Sequence, residues 1–89
     1  GYTIAVYGYT DDVGTQAYNL QLSQHRAEAV RDFLVQTGIP PAIMSTKGLG
    51  KSDPRVSGDS EKARAANRRV EIGIVDSRLI TNDALIVPK

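Results

Sequence analysis

The chain has 89 residues, with 11 lysines and arginines against 10 aspartates and glutamates, and no cysteine. That length makes one small domain with a modest core, and a formal charge of +1 is not the dense basic footprint of a nucleic-acid binder. Disulfides and thiolate chemistry are excluded, and no apolar run reaches the roughly 18 residues of a membrane-spanning helix. The single histidine stands in no metal-ligand spacing, so neither metal nor cofactor is expected.

Tyr2 to Tyr9 alternates, with Ile4, Val6 and Gly8 on one face and Ala5, Tyr7 and Tyr9 on the other. A strand apolar on both faces is central or well covered. It runs into a polar turn, Thr10-Asp11-Asp12-Val13-Gly14, after which Thr15 can cap a helix. Thr15 to Thr37 reads as that helix. Leu22, Arg26, Ala29 and Phe33 lie along one line and Ala27, Val30 and Leu34 along the next, together an apolar stripe of ordinary width. Gly38 stops it, and Pro40-Pro41 forbid continuation.

A short strand from Ile43 to Lys47 follows, ended by Gly48-Leu49-Gly50. A polar loop then leads to Asp59-Ser60, which can cap a short helix through about Ala66. Arg68 to Asp76 alternates as a strand, with Val70, Ile72 and Ile74 inward and Arg69, Glu71 and Gly73 outward. By the same parity Arg68 shares the inward face at the rim of the core, and Arg69 is a solvated charge. Residues 77–89 read as a tail containing one further apolar run, Ala84 to Val87. The order strand, helix, strand, short helix, strand implies parallel neighbours joined by a crossover. A single stripe-bearing helix covers one sheet face, which predicts an α/β, two-layer sandwich.

The chemistry rests on charge placement. Asp11 and Asp12 stand in a strand-to-helix turn, where Asp is commonly a turn former or a favourable charge at a helix start. Arg26 is rooted beside the buried stripe. A guanidinium there needs an anion, snorkels to water, or pairs with Asp11 and leaves no site. Read with Arg68, these groups suit a ligand carrying both charges: arginine grips a carboxylate in a fork, and aspartate accepts from an ammonium. His25 is about 100° round the helix from Arg26 and is expected to face solvent. Asp11 and Asp12 as the paired acids of a hydrolase are a weaker alternative, because adjacent residues in one turn do not set two carboxylates across a bond.

The ordered set Gly8-Tyr9-Thr10-Asp11, Asn19, Leu22-Ser23, Arg26-Ala27, Gly38-Ile39, Gly48, Pro54 and Asn67-Arg68-Arg69-Val70-Glu71 resembles the peptidoglycan-binding domains of the OmpA C-terminal and MotB type, from about Ile4 to Val75. The resemblance implies a β-α-β-α-β-β core with a mixed sheet and a site at the carboxyl end of the strand ending at Tyr9. It implies a non-catalytic binder of the meso-diaminopimelate in the peptidoglycan stem peptide, anchoring an outer-membrane or envelope protein to the wall from the periplasm. Carried over, Asp11 takes the ligand's ammonium and Arg26 its carboxylate, with Thr10, Asn19, Leu22 and Arg68 lining the pocket. A flagellar stator or secretion-system anchor is the other use of such a domain.

Two departures stand out. Tyr9 replaces a frequent histidine, at a position outside the charge pair. The family's first strand and first helix fall before Gly1, so residues 1–76 read as an N-terminally truncated domain. The edge of the last strand is then expected to lie open, for Ala84 to Val87 or for a partner chain in a homodimer.

Overall fold

The computed structural model describes residues 1–76. The strand β1 (Tyr2–Gly8) leads into the long helix α1 (Gln16–Gln36). A 3-10 turn at Pro41–Ile43 then precedes β2 (Met44–Gly48), the short helix α2 (Glu61–Asn67) and β3 (Val70–Asp76). The three strands form one sheet in the order β2-β1-β3. The central strand is parallel to β2 and antiparallel to β3, with Val6 opposite Thr46 on one side and Ile72 on the other. This is the mixed sheet and two-layer α/β arrangement expected, with β1 in the middle. The candidate strand Ala84 to Val87 lies outside the described residues.

Helix α1 begins and ends where its local chemistry dictates. The Thr15 side chain accepts from the Tyr18 backbone N–H at 3.1 Å, capping one of the donors that a helix start leaves unpaired. At the other end Gly38 takes a φ of +111°. Its N–H donates to the Val35 carbonyl at 3.0 Å and that of Ile39 to Leu34 at 3.2 Å, the two crossed bonds of a Schellman stop.

The face that α1 buries is only partly the one its apolar residues mark: Ala27 is buried and Val30 and Leu34 are half-buried. Ala29 and Phe33 are exposed, Phe33 at 63%. The fully covered line is Asn19, Ser23 and Ala27, at spacings of four. Small and polar residues sit here because the helix backbone comes down onto two glycines, Gly8 and Gly48, paired across β1 and β2. A Cβ on Gly8 would collide with the Ser23 carbonyl oxygen and lie 2.9 Å from its carbon; one on Gly48 would lie 2.6 Å from Ser23 Oγ and 2.7 Å from the Leu20 carbonyl. Contact this close leaves backbone groups inside the interface, and α1 satisfies them with side chains. Gln24 Oε1 accepts from the Gly48 N–H at 2.8 Å, and its Nε2 donates to Thr46 Oγ1 at 2.9 Å. Ser23 Oγ accepts from the Gly50 N–H at 2.8 Å and donates to the Leu20 carbonyl at 2.9 Å. Ser23→Ala therefore strands a buried donor. We expect a loss of about 1–3 kcal/mol, read as a lower denaturant midpoint at unchanged m-value.

Helix α1 lies over β1 and β2 and barely reaches β3. Ile72 and Ile74 pair with Val6 and Ile4 and so share the helix-side face, yet they are 45% and 54% exposed. The inward face read for them is right, but among the described residues it is covered only in part. Gly73, expected outward, is buried.

Candidate functional site

The site is built where β1 runs out. Tyr9 and Thr10 continue the strand path and are almost fully buried. The Tyr9 N–H donates to the Arg69 carbonyl at 2.9 Å and the Thr10 N–H to the Gly50 carbonyl at 2.8 Å, so the chain is gripped from both sides before it turns. Asp11 makes that turn: its Oδ1 accepts from the Val13 N–H at 3.0 Å, the local side-chain bond that suits aspartate to a turn. Thr10 Oγ1 donates to the Asp11 carbonyl at 3.1 Å. Asn19, buried under the turn, donates from Nδ2 to the Val13 carbonyl at 2.8 Å and ties the turn to α1.

Helix α2 closes over the acidic turn. Arg68 donates from NH1 to Asp11 Oδ2 at 2.9 Å and from NH2 to Glu61 at 2.7 Å, while Arg64 Nε donates to Asp12 at 3.0 Å. Glu61, Arg64 and Arg68 follow one another at spacings of three and four, which brings them onto one helix side. The Asp11 carboxyl is held below the ordinary carboxylate range, first by the Val13 N–H and then by Arg68. The Arg68 guanidinium is held more firmly protonated by Glu61 and then Asp11. Beside the turn opens a cavity of about 240 Å³ whose walls include Thr10, Asp11, Asp12, Lys51, Pro54 and Asn67.

Arg26 approaches the same strand end from α1. Its root is half-buried, and NH1 donates to the Tyr9 carbonyl at 3.1 Å. Arg26 therefore neither snorkels free nor pairs with Asp11. The Tyr9 carbonyl that holds Arg26 and the Asp11 side chain that Arg68 holds lie on either side of Thr10 in the chain. Leu22 is partly exposed on the same helix, four residues before Arg26. Of the residues expected to line the pocket, Asn19, Leu22, Arg26 and Arg68 are not walls of this cavity.

Two expectations are corrected. Arg68 is not the first residue of β3; it caps the C-terminus of α2, its N–H donating to the Arg64 carbonyl at 3.0 Å. Asn67 pins that helix end by bonding both the N–H and the carbonyl of Val56, at 3.0 and 2.9 Å, so the helix runs one residue further than its sequence pattern. Arg69 is not a solvated charge. It stacks 3.8 Å from the centroid of the Tyr9 ring and donates to Glu71 at 2.7 Å and to the Asp53 carbonyl at 2.9 Å. Burial, and then Glu71, raise the Tyr9 phenol above its usual range. Tyr9 thus acts as a protonated platform under Arg69. The spacing of two between Arg69 and Glu71 along a strand was the available signal for this pair. His25 is exposed, as expected.

The two-layer α/β fold with its mixed sheet is that of a known family of small domains. Residues 1–68 match the OmpA family, and the chain belongs to that family. It is 50% identical over 76 residues to outer membrane protein A of Bordetella avium, covering 85% of this chain and 39% of that protein. It is 42% identical over 71 residues to outer membrane porin F of Pseudomonas fluorescens, covering 80% of this chain and 22% of the porin. The chain thus spans well under half the length of these relatives. Among solved structures, the peptidoglycan-associated lipoprotein of Burkholderia pseudomallei is 44% identical with a TM-score of 0.77, over 80% of this chain and 60% of the other. The C-terminal domain of Helicobacter pylori MotB is 33% identical with a TM-score of 0.78, over 86% of this chain and 60% of the other.

Proposed function

We propose that this domain binds peptidoglycan without catalysis, by gripping the side-chain head group of meso-diaminopimelate in the stem peptide. Asp11 takes the ammonium and Arg26 the carboxylate. Thr10 and Asn19 hold the turn, and Leu22 and Arg68 border the ligand. The observation that carries this reading is the separation of the two charges. Asp11 bonds Arg68 and Arg26 bonds the Tyr9 carbonyl, on either side of buried Thr10, and neither is spent on the other. The kinship with a protein described as peptidoglycan-associated supports peptidoglycan as the partner.

Such a domain serves as an anchor on the periplasmic side, fastening an outer-membrane or envelope protein to the wall. One small head group gives modest affinity, and the repetition of wall sites supplies avidity. The likeness to MotB favours a second use of the same grip, as the wall attachment of a larger machine.

Co-sedimentation with purified diaminopimelate-type sacculi tests the reading. The wild-type domain pellets, and Asp11→Ala lowers the apparent affinity at least about tenfold; equal pelleting of the two proteins would remove Asp11 from the site. The pH dependence has a definite sign. Binding needs the Asp11 anion, whose pKa lies below the ordinary value. Pelleting is therefore level from neutral pH down to about pH 4 and is lost only below it, as that carboxyl protonates. Loss centred near pH 6 would assign the titration to another group.

A further inference from the structure

Asp11 already has a cationic partner. Oδ1 is engaged by the Val13 N–H, and Oδ2, where a new cation would compete, holds the Arg68 guanidinium at 2.9 Å. The same guanidinium has a second acceptor, Glu61, at 2.7 Å, on a side chain 74% exposed to solvent. The geometry points to Arg68 as a second residue, beside Arg26, that sets ligand specificity at this site: an ammonium reaches Asp11 in competition with Arg68, which Glu61 retains, so a ligand with a carboxylate beside its ammonium is selected over one with an ammonium alone. The inference rests on the zwitterion reading of the site and adds the means of discrimination.

Charge placement gives the direction of the effect. The cations around the turn are Arg68, Arg64 on Asp12, Arg26 on the Tyr9 carbonyl, and Lys51, whose Nζ donates to the Gly14 carbonyl at 2.9 Å. The anions are Asp11, Asp12 and Glu61. A bare ammonium inserted at Asp11 leaves the displaced Arg68 facing a like charge. A zwitterion adds no net charge, and its carboxylate, gripped by Arg26, offers a further oxygen to the released Arg68 guanidinium in place of the acceptor it lost. Rejection by an unfavourable charge and attraction by a favourable one act together, as they do in specific sites generally.

Two synthetic tripeptides separate these terms: L-alanyl-γ-D-glutamyl-meso-diaminopimelate, and the same peptide ending in L-lysine, which keeps the side-chain ammonium and lacks the carboxylate next to it. Titration calorimetry on the wild-type domain is expected to show the diaminopimelate peptide bound at least about tenfold more tightly. In Arg68→Gln the two peptides move in opposite directions. The lysine peptide gains severalfold because Asp11 is unmasked, and the diaminopimelate peptide loses severalfold. Movement of both peptides by one common factor, or an unchanged ratio, overturns the assignment of Arg68.

Glu61→Gln is an independent arm that leaves Arg68 in place. It removes the refuge and tightens Arg68 on Asp11, so the diaminopimelate peptide weakens by a few fold; no change in its affinity also overturns the proposal. If the wild-type domain binds neither peptide and Asp11→Ala does not alter sedimentation with sacculi, the zwitterion reading itself fails. If the wild type binds the diaminopimelate peptide and the ratio survives Arg68→Gln, only the role of Arg68 fails.

Discussion

Arg26→Ala is expected to cost about 2–4 kcal/mol of binding, or about 30- to 1,000-fold in affinity for the diaminopimelate peptide, while the domain stays folded. The size follows from the position of the guanidinium. It is rooted on the half-buried flank of α1 and oriented by one bond from NH1 to the Tyr9 carbonyl, so its remaining donors are pre-aimed. Truncation removes the fork and exposes the ligand carboxylate to an incompletely solvated pocket edge, a larger penalty than the loss of an exposed ion pair. The stability cost is smaller, about 1–3 kcal/mol for the single charge-assisted bond to Tyr9. Arg26→Lys separates charge from shape. A lysine restores a point charge without the planar fork, so it recovers a minor part of the affinity. Isothermal titration with circular dichroism on the same samples reads both quantities. Full affinity in Arg26→Ala would show that the carboxylate is held elsewhere.

The positions of Asp11 and Arg26 were legible because each belongs to an element with clear local signals. Val6, flanked by Ala5 and Tyr7, announces a central strand, and the turn after it must begin near Thr10. Thr15 and Gly38 fix the two ends of α1, and so the turn of helix that carries Arg26. What was not legible depends on contacts distant in sequence. Asn19 and Ser23, on the line that Ala27 continues, carry no apolar signal, because their burial comes from backbone approach to Gly8 and Gly48, two glycines brought side by side only by the β1–β2 register. Arg68 was read as a strand residue by parity with Val70. The side chain of Asn67, bonded to Val56 eleven residues earlier, extends α2 instead and turns the guanidinium toward Asp11. Arg69 lost its expected solvent to the Tyr9 ring. In each case a polar residue was placed by a tertiary partner and not by periodicity.

The largest loss of stability is expected from the smallest change, Gly8→Ala. The new methyl would meet the Ser23 carbonyl and lie 3.3 Å from the Ala27 backbone nitrogen, and neither is the movable end of a side chain. Relief requires α1 to lift from β1. Lifting is opposed by Gln24 on Gly48 and by Ser23 on Gly50, each bonded at 2.8 Å. The cost belongs at the upper end of overpacking in a core, about 3 kcal/mol. For a domain of this size that is a fall in Tm of about 12–24 °C, and a large fraction of a total stability of the order of 5 kcal/mol. Gly38→Ala is the control. A Cβ there meets nothing within 4 Å, and the φ of +111° alone is penalised, at about 1–2 kcal/mol. Thermal melts followed by circular dichroism that put the two variants at the same Tm would mean that α1 yields freely, and that the glycine contact does not set the interface. The same displacement reaches the site. Gly8 lies one residue before Tyr9, whose carbonyl orients Arg26, and three before Asp11. A Gly8→Ala domain that stays folded by lifting α1 therefore separates the two charges and loses affinity for the wall even at temperatures where it is fully folded.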